Sequence, residues 1–267
     1  MFAALLLAAA PMATAAAPPP VTIAASEERQ VQAADGSIYR LFLRRPAGQP
    51  PAAGWPSLWL LDGDQNFATA ADFHARLLRF SGATVSDGYI IAIASPDMQR
   101  RNRDYTPVAN ARVPGLGGAA RFRALLRDVL LPQLGAELRL DPARRSLFGH
   151  SHGGLFTIDT LVTEPGLFAT YVAASPSLWA AADDLDGKLA TLPARLGTAH
   201  PRLLLTVGSA EKGGPAGAFD GPAADAALEK RLATMGVRVR FRLLDHENHG
   251  SAVLPAIGQS LEEVFAK

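Results

Sequence analysis

Two residue types suited to acyl chemistry stand far apart in the chain. One is a serine framed as Gly149-His150-Ser151-His152-Gly153; the other is a histidine in Asp245-His246-Glu247-Asn248-His249-Gly250. A serine hydroxyl is a poor nucleophile at neutral pH and needs an imidazole base, usually with a carboxylate that fixes the imidazole tautomer. Gly-x-Ser-x-Gly meets the first need when an apolar strand enters it and a helix leaves it, because the tight turn lifts the serine above the sheet. Here Ser146-Leu147-Phe148 runs in and Gly154-Leu155-Phe156 runs out. Gly149 and Gly153 read as steric requirements, since side chains there would collide with the neighbouring strand and helix.

His249 is the expected base. It falls between the last expected strand and the last helix, where an imidazole reaches back over the carboxyl edge of a parallel sheet; His246, nearer the strand end, is its rival. The acid is expected just after the strand ending at Val207, in Gly208-Ser209-Ala210-Glu211. That puts Glu211 forward, with Asp220, Asp225 and Asp245 as competitors and a serine–histidine dyad as a further option. Acyl transfer also needs backbone N–H donors for an oxyanion, one after the nucleophile and one at the end of a central strand. The amides of His152 and Asp64 are the candidates, Asp64 because Asp62-Gly63-Asp64 directly follows an apolar run.

Other patterns fail on spacing. His246-Glu247-Asn248-His249 is one residue short of the zinc motif H-E-x-x-H, so no metal is expected. Gly115-Leu116-Gly117-Gly118-Ala119-Ala120 fits G-x-G-x-x-A but follows no strand, so no dinucleotide or other cofactor is expected. His74 and His200 suit packing or capping, while His150 and His152 line the serine turn.

These side chains need a scaffold, and the 267 residues, 48% hydrophobic, can bury a full core. One domain is expected over residues 18–267. A net charge of +1, spread along the chain, argues against nucleic acid or an anionic membrane as partner and for a small-molecule substrate. With no cysteine, disulfides, thiol catalysis and thiolate metal sites are excluded. Residues 1–17 read as a secretory signal: the apolar run at 2–10 is too short to span a bilayer and leads to Ala13-Thr14-Ala15, suited to cleavage. A periplasmic or secreted location follows.

Strands are expected at 30–33, 37–44, 55–61, 89–94, 168–174, 202–207 and 237–244, the first two as antiparallel edge strands. Helices are expected at 67–80, after 118, at 181–196 with a break at Pro193, at 223–235 and at 251–266. Residues 96–118 read as a long Arg/Pro/Gly-rich loop rimming the site. Strand–helix alternation makes the fold class α/β, with a mostly parallel central sheet flanked by helices.

The chain resembles the putative-esterase branch of the α/β-hydrolases, which contains esterase D-like enzymes and the periplasmic and cytoplasmic siderophore esterases. The resemblance is carried by Leu60-Leu61-Asp62-Gly63, Arg103-Asp104-Tyr105-Thr106-Pro107, Gly149 to Phe156, Ala174-Ser175-Pro176-Ser177-Leu178-Trp179 and Glu247-Asn248-His249-Gly250-Ser251. It departs at His152, where relatives often carry Tyr, Leu or Met. The resemblance implies an α/β-hydrolase fold and carboxylic-ester hydrolysis through a Ser151 acyl-enzyme with His249 as base. A non-catalytic binding protein on the same fold, and an acyltransferase, are the alternatives. Arg101 and Arg103 of the expected loop, beside Arg100, are the candidate contacts for anionic or catecholate groups. Tyr105 and Trp179 are the candidate aromatic walls of a pocket for a large ester of the siderophore type.

Overall fold

The apolar run Trp55–Leu61 is a strand with every residue buried, as an unbroken hydrophobic segment must be when helices cover both faces of a sheet. The computed structural model describes residues 21–81, 84–109, 115–213 and 217–267; the expected export segment at 1–17 lies outside them. In chain order the strands are β1 (Ser26–Gln32), β2 (Ile38–Arg44), β3 (Trp55–Leu61), β4 (Tyr89–Ala94), β5 (Leu140–His150), β6 (Thr170–Ala174), β7 (Arg202–Gly208), β8 (Lys212–Gly213), β9 (Phe219–Asp220) and β10 (Arg238–Leu244). Eight of them form one sheet in the order β1-β2-β4-β3-β5-β6-β7-β10, while β8 and β9 make a separate hairpin. Pairing is parallel from β4 through β10, and β2 is antiparallel to both β1 and β4. The expected pair of edge strands is therefore corrected: only β1 is outermost, and β2 carries pairing on both sides.

Helices fill both faces. On one, α1 (Gly63–Phe80) and α8 (Val253–Val264) pack Phe67, Leu77, Ile257 and Leu261 against Leu58, Leu60 and Phe148 of the strands. On the other lie α3 (Ala119–Leu125), α4 (Leu131–Leu138), α5 (His152–Thr163), α6 (Ala182–Leu196) and α7 (Gly221–Thr234), whose apolar residues cover Trp59, Leu61, Leu147 and Tyr171. Between α3 and α4 the backbone passes through a π-helical turn, Leu126–Leu130, next to Pro132, whose missing N–H already interrupts the ordinary ladder. Pro193 lies inside α6 without ending it.

Residues 96–118 are not one long loop. Met98–Tyr105 is a helix, α2, whose N-cap Asp97 accepts the Arg100 amide through its side chain at 2.7 Å. Only Asp104 and Tyr105 of α2 are buried, so it carries no apolar stripe that could announce it. Ion pairs hold it instead, Arg100 and Arg103 to Asp35 and Arg101 to Asp62.

Candidate active site

β5 ends at His150 and α5 begins at His152, leaving Ser151 alone in the turn at φ 61°, ψ −122°. That conformation costs a non-glycine residue about 1–3 kcal/mol and persists only where the surroundings over-determine it. Here the Ser151 amide donates to the Ala174 carbonyl at 3.0 Å, and the Ser151 carbonyl accepts the amides of Leu155 (3.0 Å) and Ser177 (3.1 Å). A Cβ on Gly149 would stand 2.1 Å from the Gly153 carbonyl oxygen, and one on Gly154 would stand 2.8 Å from that of Ala174. On Gly153 it would meet nothing closer than Leu61 at 3.5 Å, an ordinary contact. The steric demand therefore falls on 149 and 154, which corrects the assignment of Gly153.

His249 Nε2 lies 2.9 Å from Ser151 Oγ, and its Nδ1 lies 2.9 Å from Glu211 Oε2. The other Glu211 oxygen accepts the Gly208 amide at 2.8 Å and the Ser175 hydroxyl. Burial alone would push the Glu211 carboxyl up; the hydrogen bonds from His249, Ser175 and Gly208 outweigh it and hold the group below its ordinary range. An ionised Glu211 accepts a hydrogen bond from Nδ1–H, which fixes the tautomer and leaves Nε2 free to accept the serine proton.

Backbone hydrogen bonds lock the acid turn to the histidine turn. The Ser209 amide donates to the Leu244 carbonyl and the Ala210 amide to that of Glu247. Asn248 Oδ1 accepts the amides of Gly250 and Ser251. His150 Nε2 lies 2.8 Å from the His249 carbonyl oxygen, with the two rings 4.8 Å apart. Burial, helped by the nearby His249 ring, lowers the His150 pKa to about 4, so at neutral pH it is an uncharged donor to that carbonyl.

The competitors do not join this line of contacts. His246 is exposed, with its amide on Ser209 Oγ. Asp245 is exposed, and Asp220 caps α7 and pairs with Lys212. Asp225 is buried near Glu211 but makes no hydrogen bond among the described residues.

Opposite the histidine, two helices begin. The His152 amide opens α5. At α1 the Asp62 carbonyl accepts the amides of Gln65 and Asn66 at 3.0 Å each, so those of Gly63 and Asp64 precede the first intrahelical bonds. Asp64 is thus at a helix N-terminus with its side chain exposed. Asp62 itself is left-handed at φ 55°. Of the six non-glycine residues with positive φ among the described residues, four end parallel strands at this edge: Asp62, Ser151, Ser175 and His246.

Three of the expected substrate contacts are corrected. Tyr105 is fully buried and cannot wall a pocket; its hydroxyl accepts the Asp62 amide at 3.3 Å. Arg103 turns away, to Asp104 and Asp35. Arg101 is held on Asp62, with its guanidinium 5.2 Å from the Tyr105 ring centroid. Trp179 is 42% exposed and lines a cavity of about 360 Å3 together with Ser151, His152, Phe219, Glu211 and His249. Ser175 and Ser177 are contacts that spacing did not assign, and His150, expected to line the serine turn, also bonds the His249 carbonyl; Ser177 Oγ lies 3.4 Å from Ser151 Oγ. Among the described residues no three His, Asp or Glu side chains converge as a metal-binding set, and no helix is long and apolar enough to cross a membrane.

A mostly parallel sheet flanked by helices, with a serine elbow after β5, an acid turn after β7 and a histidine turn after β10, is the α/β-hydrolase fold. Residues 34–249 match the family model described as "Putative esterase", and the chain belongs to that family. It is 33% identical over 159 residues to the ferri-bacillibactin esterase BesA of Bacillus subtilis, covering 54% of this chain and 55% of that protein. It is also 33% identical over 187 residues to the apo-salmochelin esterase of Escherichia coli, covering 66% and 58%. These matches span a little over half the length of either relative. The BES protein of Bacillus cereus superposes with a TM-score of 0.86 over 94% of this chain and all of that one, at 24% identity, which shows the shared fold.

Proposed function

We propose that the protein is a serine hydrolase of carboxylic esters. The observation that carries this reading is the unbroken line of contacts Glu211–His249–Ser151, with both links at 2.9 Å. Ser151 Oγ attacks the ester carbonyl as its proton passes to His249 Nε2. The developing imidazolium is stabilised by ionised Glu211, and the oxyanion by the His152 amide and an N-terminal amide of α1, at Asp64 or beside it. Collapse returns the proton from His249 to the leaving alkoxide and leaves an acyl-Ser151 ester. Water then repeats the sequence, so ester and water give acid and alcohol.

The named relatives support an ester of the siderophore type as substrate, and Trp179 offers an aromatic wall for it; Arg101 and Arg103 have no part in this recognition. The test compares kcat/KM for a catecholate triester and short p-nitrophenyl esters. Wild type turns over both and prefers the triester, and Ser151→Ala turns over neither while remaining folded. A Ser151→Ala protein that keeps its rate excludes the mechanism, and acyl transfer to added alcohols in place of hydrolysis makes it a transferase. Export through residues 1–17 is part of the same proposal, checked by the N-terminal sequence of protein recovered from the cell envelope or medium.

A further inference from the structure

Asp225 stands in the second turn of α7 with 1% of its surface exposed, and neither carboxyl oxygen has a hydrogen-bond partner among the described residues. It borders the cavity that opens on Ser151, beside Val207, Glu211, Phe219 and Gly221. A buried polar group without a partner is costly, and native proteins keep few of them. No structural duty accounts for this one. Asp220 already caps α7, Lys212 is held by Asp220, and His249 is held by Glu211. Burial, reinforced by the negative charge of Glu211, raises the pKa of Asp225 well above the usual carboxylate range, which favours its neutral form.

The cavity's apolar wall is Pro176, Trp179, Val207 and Phe219, and Ser177 and Lys212 stand on the lining with the catalytic groups. A pocket whose polar groups are all engaged but one has the form of a site that selects one polar feature of its ligand.

Building on the reading of this site as an ester hydrolase, we propose that Asp225 is a specificity-determining residue that accepts a hydrogen bond from an N–H or O–H group on the ester. A hydroxyl or amide also accepts a hydrogen bond from the protonated carboxyl, and an ammonium supplies the charge that makes ionisation of Asp225 favourable. Either source satisfies oxygens that nothing among the described residues satisfies. An ester with a plain alkyl end leaves them buried and unpaired.

The test uses esters of equal length ending in methyl, hydroxyl or ammonium, with the varied end placed first on the acyl side and then on the alcohol side. In the wild type a donor-ended ester is hydrolysed with kcat/KM roughly tenfold or more above its methyl-ended counterpart. In Asp225→Leu that ratio falls to about one, and Tm is equal or higher because an unpaired polar group is gone. In Asp225→Asn a hydroxyl preference survives and an ammonium preference does not, which separates the two sources. Asp225→Ala, with the same expected ratio, stands in if the leucine protein does not fold. Absence of any donor preference in the wild type, or an unchanged ratio in Asp225→Leu, overturns the proposal while leaving ester hydrolysis intact. Failure to turn over any ester of either series removes both.

Discussion

The guanidinium of Arg101 spans both carboxylate oxygens of Asp62, at 2.5 and 2.8 Å, and so ties α2 to the turn in which β3 becomes α1. Both side chains are largely buried, at 12% and 5% exposure. Arg101→Leu leaves the Asp62 carboxylate without its partner, at a cost of about 3–5 kcal/mol in stability. It also loosens the turn that presents the α1 amides. We expect kcat to fall about a hundredfold, the scale of a misplaced reacting group, and by the same factor for every ester. A loss confined to anionic or catecholate esters in steady-state kinetics would return Arg101 to substrate recognition.

The glycines of the serine turn divide by what surrounds them. Gly153→Ala meets only ordinary contacts inside a helix, where alanine is preferred to glycine by about 0.5–1 kcal/mol, so its Tm should match or exceed the wild type. Gly149→Ala and Gly154→Ala drive a methyl group into backbone carbonyls and should each cost about 1–3 kcal/mol or more. Thermal melts of the three proteins decide this, and an unstable Gly153→Ala beside a stable Gly154→Ala would contradict the packing.

Glu211 and Asp225 give opposite pH dependences. The folded pKa of Glu211 lies below its ordinary 4.5, so its stabilising contribution is complete above that pH and is lost as pH falls through the folded value. The stability lost in Glu211→Gln should therefore shrink in acid. The folded pKa of Asp225 lies well above 3.8, so the wild type loses stability as pH rises from there towards the folded value. Asp225→Asn should gain on the wild type over that rise. Denaturant melts from acid to neutral pH check both signs, and a parallel pair of curves would refute the opposed linkage.

The side chains that meet at Ser151 are legible in the sequence because each follows a readable strand, apolar for β5 and β7 and alternating for β10, and parallel strands bring those ends to one edge. What escapes spacing is the layer behind them. α2 reads as a loop because its helix carries charge rather than an apolar stripe, and its ion pairs join residues as distant as Asp35 and Asp62. Tyr105 reads as a pocket wall because an aromatic in an expected loop should be exposed, whereas the helix turns it inward onto Phe122 and Phe156. Ser175 and His150 sit in readable motifs, but their partners Glu211 and the His249 carbonyl come from other strand ends.

His150 acts through the loop that carries His249. His150→Phe keeps a ring and removes the donor to the His249 carbonyl, at a cost of about 1–3 kcal/mol for the unpaired group. Because a positioning residue touches no substrate, kcat should fall roughly ten- to a hundredfold while KM holds. His150→Gln, whose amide can donate, should recover part of the rate. An equal loss in both variants would assign His150 to packing alone.

The most direct test of the whole scheme is covalent labelling. The native protein is treated with a fluorophosphonate, and the modified residue is located by peptide mass spectrometry, alongside Ser151→Ala and His249→Ala. Stoichiometric modification at Ser151 is expected in the wild type, with none in Ser151→Ala and a rate reduced by orders of magnitude in His249→Ala. A folded wild-type protein that takes up no label, or takes it up equally in Ser151→Ala, would contradict Ser151 as the nucleophile.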